Sequence, residues 1–123
     1  MEATILIVDD DVSLCHALSE ELTEVGYITH WVTNGDDAVD YVLGKSIDVM
    51  LLDLKMPNKD GFEVLKELEK YKLSCKIIVL TAYADVRSAV AAAKLGATDF
   101  INKPYDFDEL LITIRKVMQS SSD

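Results

Sequence analysis

The sequence predicts an α/β fold, a parallel sheet sandwiched by helices, on three observations. Short apolar runs such as Thr4-Ile5-Leu6-Ile7-Val8 and Ile47 to Leu52 are unbroken rather than alternating, as in strands covered on both faces. Segments with apolar residues three and four apart lie between these runs, the spacing of one helix face. The two patterns alternate along the chain as strand–helix units, the order that builds a parallel sheet with helical crossovers.

The first strand ends in three acids, Asp9, Asp10 and Asp11. A helix follows from about Val12 to Val25, with Cys15, Leu18, Leu22 and Val25 on one side and Gly26 as a stop. Tyr27 to Val32 reads as a second, less buried strand, and Asn34-Gly35 leads into a short helix with Ala38, Val39 and Val42 inward. Ile47 to Leu52 is the third strand and delivers Asp53 at its end. Lys55 to Gly61 is dense in turn formers and predicts a loop. The helix after it, Phe62 to about Lys72, presents Phe62, Leu65 and Leu68 on one side. Ile77 to Leu80 forms the fourth strand, closed by Thr81-Ala82, and Asp85 can cap the helix that ends at Gly96. Asp99 to Asn102 is a short fifth strand before Lys103-Pro104. The last helix starts at a capping-box spacing, Asp106 with Glu109, and turns Leu110, Leu111, Ile114, Val117 and Met118 inward. Residues 1–118 therefore form one domain, and the serine-rich stretch 119–123 reads as a polar tail or the start of a linker.

The chain has 123 residues, half of them hydrophobic, enough for one core and one domain. It carries no apolar run of membrane-crossing length and no signal-peptide pattern, so the expected location is the cytoplasm. Cys15 and Cys75 lack metal or redox spacing and read as free thiols. The net charge of −10 argues against direct contact with nucleic acid and fits either a domain that binds cations or basic surfaces or scattered surface acids that aid solubility.

Open parallel sheets build their sites beyond the carboxyl ends of the strands. Asp9 and Asp10 after the first strand, Asp53 after the third, Thr81 after the fourth and Lys103 after the fifth all converge there. Crowded carboxylates repel, so they either raise a pKa or collect a hard cation such as Mg²⁺. One carboxylate left free can attack phosphorus to give an aspartyl phosphate. A cation and the Lys103 ammonium would offset the phosphoryl charge, and the Thr81 hydroxyl could bond the product. Each residue alone has a plain explanation in turn or capping chemistry; the ordered set does not. His16, His30 and Trp31 fall away from this edge, and Asp36, Asp37 and Asp40 read as a solvated helix face.

The stretches Ile5 to Asp11, Leu51-Leu52-Asp53-Leu54-Lys55-Met56-Pro57, Asp60-Gly61, Leu80-Thr81-Ala82 and Lys103-Pro104 resemble those of response-regulator receiver domains of bacterial two-component systems. The stretches from Thr81 to Val86, Lys94 to Ala97 and Phe107 to Leu110 are similar to receivers of enhancer-binding (NtrC-like) transcription activators. The resemblance implies a flavodoxin-like (βα)5 fold with strand order 2-1-3-4-5. It implies a signalling switch rather than a conventional enzyme, one that accepts a phosphoryl group on Asp53 from a sensor histidine kinase or a small donor. Asp10, Asp53 and the backbone carbonyl of Lys55 would hold Mg²⁺, with Asp9 acting through a water. Lys103 would contact the phosphoryl group beside a cis Lys103–Pro104 bond. Thr81 and Phe100 would form the switch pair that repacks the face of the fourth helix, fifth strand and fifth helix. That face would control an output domain or partner in transcription regulation, with homodimerisation on phosphorylation. Lys55 and Tyr83 stand where the family tunes phosphate lifetime, and their bulk implies a lifetime of minutes or longer.

Rival readings fail on particular residues. A phosphatase of the haloacid-dehalogenase class needs a second Asp two residues after the nucleophile, where Lys55 stands. A flavodoxin needs a Ser/Thr/Gly-rich phosphate loop where three acids stand, and the P-loop pattern is missing. The alternative of another class is a receiver-like binding module that is never phosphorylated.

Overall fold

The computed structural model describes residues 3–119. The chain runs β1 (Thr4–Val8), α1 (Val12–Glu24), β2 (Ile28–Val32), α2 (Gly35–Gly44), β3 (Val49–Leu52), α3 (Gly61–Tyr71), β4 (Lys76–Thr81), α4 (Val86–Lys94), β5 (Asp99–Asn102) and α5 (Phe107–Gln119). The strands form one parallel sheet in the order β2-β1-β3-β4-β5. This is the flavodoxin-like order expected from the resemblance.

The unbroken apolar runs have a simple cause. Side chains alternate across a strand, so Leu6, Val8, Met50, Leu52 and Val79 enter one core with α2, α3 and Ala92 of α4. Ile5, Ile7, Val49, Leu51, Ile78 and Leu80 enter a second core with Cys15, Leu18 and Leu22 of α1 and Leu110, Ile114 and Val117 of α5. Both faces exclude water, so neither set of positions can be polar.

Side chains cap α1 to α4. Asp11 accepts from Leu14 N (3.2 Å), Asn34 from Asp37 N (2.8 Å) and, as predicted, Asp85 from Ser88 N (2.7 Å). A capping box joins Asp60 and Glu63 at the start of α3. At α5 the first helical bond runs from Leu110 N to the Asp106 carbonyl (3.0 Å).

Four details depart from the sequence reading. Val25 caps α1 and is exposed, because the chain turns at Gly26 (φ +105°) before that residue could pack. Ile47 is buried but precedes the β3 ladder, which begins at Val49. On α3 it is Val64 that joins Leu65 and Leu68 in the core, while Phe62 is half-buried at its edge. Gln119 closes α5 rather than opening the tail, and residues 120–123 of that expected tail lie outside the described residues. No helix among the described residues is long and apolar enough to cross a membrane.

Candidate functional site

The register sets the site. Val8 of β1 lies beside Leu52 of β3, so Asp9 and Asp53 leave the sheet as neighbours. Their backbones stay on the ladder, Asp53 N donating to Val8 O (3.0 Å) and Asp9 N to Val32 O (3.2 Å). Thr81 pairs with Asn102, and Lys103 N continues the ladder by donating to Thr81 O (2.9 Å). All five residues singled out in the sequence thus reach one edge of the sheet.

Asp9 (2% exposed) and Asp53 (6%) are buried acids, while Asp10 beside them faces solvent. Carboxylate oxygens of Asp9, Asp10 and Asp53 lie within 4.8 Å of one another. Lys103 reaches into this cluster: its Nζ donates to Asp9 Oδ2 at 2.5 Å and stands 3.5 Å from Asp53 Oδ2. Burial disfavours the Lys103 ammonium, but the hydrogen bond to Asp9 and the charges of Asp53 and Asp9 outweigh it and hold its pKa above the ordinary lysine value. Asp9 Oδ1 also accepts from Asp11 N (3.0 Å), so its carboxylate is held from two sides. The Lys103–Pro104 bond is cis, as expected. Three carboxylates with hard oxygen donors at this spacing fit a metal cation.

The remaining predicted residues surround this centre. Lys55 N lies 3.4 Å from Asp53 Oδ1, and the Lys55 ammonium stands 4.8 Å from the centre of the Tyr83 ring. Thr81 is fully buried, and its Oγ1 accepts from Tyr83 N (3.2 Å). Phe100 is half-buried against the core beneath β4 and β5. His16 and His30 are exposed and remote in the fold: His16 pairs with Glu20 (3.7 Å), and His30 tilts against Tyr41 (5.5 Å between centroids). Trp31 is 37% exposed on the edge strand.

Sequence reasoning missed three contacts around the site. Gly61 packs so closely that a Cβ there would stand 2.5 Å from Asp53 O and 2.7 Å from Leu54 Cα. Tyr105 OH donates to Glu21 Oε1 of α1 (2.6 Å), tying the segment after Lys103 to that helix. Lys59 pairs with both Asp36 and Glu67. Asp60-Gly61 was legible as a motif, but the other two join residues far apart in sequence and leave no local spacing to read.

The family model for the response regulator receiver domain matches residues 5–115. The chain belongs to this family. It is 39% identical to the transcriptional regulatory protein ZraR of Klebsiella oxytoca over 117 residues, 95% of this chain and 26% of that protein. It is 38% identical to the regulatory protein AtoC of Escherichia coli K12 over 96% of this chain and 26% of that protein. The receiver therefore spans about a quarter of the length of these two regulators. Among solved structures, NtrX of Brucella abortus superposes with a TM-score of 0.90 at 27% identity, over 98% of this chain and 28% of that one. The chemotaxis protein CheY4 of Vibrio cholerae superposes with a TM-score of 0.89 at 28% identity, over 95% of this chain and 99% of that one. The receiver is a signalling domain rather than a classical enzyme.

Proposed function

We propose that this receiver is a Mg²⁺-dependent phosphorylation switch whose phosphoacceptor is Asp53, charged by a sensor histidine kinase. The observation that carries the reading is the buried Asp53 carboxylate, 3.5 Å from the Lys103 ammonium and within reach of two further acids.

Asp10, Asp53 and the Lys55 carbonyl would hold Mg²⁺, with Asp9 acting through a water, and the bound cation would offset negative charge on the phosphoryl oxygens. An Asp53 carboxylate oxygen attacks phosphorus, forming an O–P bond. The N–P bond of the donor phosphohistidine breaks, and its electron pair returns to the imidazole nitrogen, which takes a proton from solvent. With acetyl phosphate the leaving group is acetate. Lys103 neutralises the incoming charge, and releasing its bond to Asp9 frees its ammonium to do so.

The Thr81 hydroxyl, engaged with Tyr83 N before phosphorylation, turns to donate to the aspartyl phosphate. Its departure leaves room for Phe100 to rotate inward and repack the α4–β5–α5 face. That face then acts on an output domain or downstream protein in transcription regulation and pairs with a second copy. Lys55 and Tyr83, whose side chains meet, hinder an attacking water and keep the phosphate for minutes or longer.

Intact mass after incubation with acetyl phosphate and Mg²⁺ tests the chemistry. One added phosphoryl group is expected, absent in Asp53→Ala and in EDTA. A folded wild-type chain that gains no mass from acetyl phosphate or from a phosphorylated kinase would instead be a binding module. Unchanged sedimentation after beryllofluoride treatment would rule out the phosphorylation-driven dimer.

A further inference from the structure

The β3–α3 loop, which carries the Lys55 carbonyl, is held by a side chain outside the acidic site. Lys59 is only 19% exposed in its side chain, low for a loop lysine, and its ammonium lies between two carboxylates. One is Asp36 in the first turn of α2 (3.2 Å); the other is Glu67 on α3, in hydrogen-bonding contact. Lys59 therefore joins two helices through the loop between Asp53 and α3.

The contact extends along the whole residue. A Cβ on Gly35 would stand 2.7 Å from Lys59 Cγ, 2.9 Å from Cδ and 2.9 Å from the Lys59 carbonyl oxygen. The stem and backbone of Lys59 thus lie directly on the start of α2, at a place with no room for any side chain. The loop also needs holding. Asn58 takes φ +71°, a conformation L-residues adopt at a cost, and Lys55, Pro57 and Asn58 are exposed. Met56 in the core and the Asp60–Glu63 capping box fix its two flanks.

We propose that Lys59 is a positioning residue for the metal site, its pairing with Asp36 and Glu67 holding the β3–α3 loop so that the Lys55 carbonyl faces the acidic cluster. The proposal rests on the reading of that cluster, with the Lys55 carbonyl, as a Mg²⁺ site. Its consequence has a distinctive sign. Removing a positive charge from a domain with an acidic cation site should, by electrostatics alone, leave cation binding unchanged or tighten it. Losing a positioning contact should weaken it, by about tenfold for supporting contacts of metal ligands.

The test is calorimetric titration of Mg²⁺ into the full chain for wild type, Lys59→Met, Lys59→Arg and Gly35→Ala, with thermal unfolding of each in EDTA. Lys59→Met keeps an apolar stem without the charge, and Gly35→Ala displaces the Lys59 backbone with no change in charge. Both are expected to bind Mg²⁺ about tenfold more weakly while remaining folded, and Lys59→Arg is expected to stay close to wild type. Lys59→Met binding as tightly as wild type or more so, with Gly35→Ala unchanged, would overturn the proposal while leaving the metal site intact. A wild-type chain that takes up no Mg²⁺ would remove the metal site itself and the positioning role with it.

Discussion

On one side of Asp53 the β3–α3 loop is fastened by Gly61 against the Asp53 backbone, by Met56 in the core, by the Asp60 capping box and by Lys59 between two helices. On the other side the β4–α4 loop leads into a helix that buries only Ala92 and leaves Val86 and Val90 exposed. The helix beyond the first loop, α3, buries Val64, Leu65 and Leu68. Bound apolar area is what resists local opening, so the two flanks differ in stability as well as in contacts. The firm flank suits a group that must present ligands at constant geometry. The lightly held flank suits the proposed switch, because repacking α4 would displace few buried side chains.

Truncation should expose this contrast most strongly. Leu65→Ala removes a fully buried side chain and is expected to cost about 3 kcal/mol in urea unfolding. Val90→Ala on the exposed face of α4 is expected to stay within about 0.5 kcal/mol of wild type. Equal losses in the two variants would erase the difference between the flanks.

A smaller effect separates the loops at the site itself. Tyr83 reaches from the light flank to Lys55 on the firm one. Tyr83→Ala is expected to shorten the phosphate lifetime several-fold, followed by loss of the added mass over time, with the extent of phosphorylation unchanged at early times. An unaltered lifetime would detach this contact from protection of the phosphate.

The smallest expected effect concerns the thiols. Burial, then the charges of Asp9 and Asp11, pushes the Cys15 thiol up to about 11, and burial with the charge of Asp48 pushes Cys75 up to about 12. Both stay protonated near neutral pH, so alkylation by iodoacetamide should be slow until urea opens the chain. Above about pH 9 the unfolded chain releases these protons while the folded chain keeps them, so stability should fall as pH rises towards the folded values. Cys75→Ala should flatten that decline in urea titrations at successive pH values.

The strands and the acidic edge were legible in the residue order because burial on both faces forbids polar residues in a central parallel strand. Asp9, Asp53 and Thr81 each follow such a run directly, so the run announces its own end, whereas Lys103 follows the short edge strand Asp99–Asn102. Val25 was misjudged because helical spacing names a face but not where the helix ends, while Phe62 shares the face of Leu65 and Leu68 but reaches only the edge of their core.

By itself the sequence determined the α/β class, the helix starts at Asp11, Asn34 and Asp85, and the set of residues gathered at one edge. These depend on local periodicity and on side chains that bond backbone within a turn. Only the tertiary structure decided that Lys103 sits on Asp9 and beside Asp53, that Tyr105 reaches Glu21, and that Lys59 bridges Asp36 and Glu67. Such contacts join distant parts of the chain through long side chains, whose partners are set by the packing of whole elements rather than by their neighbours in sequence.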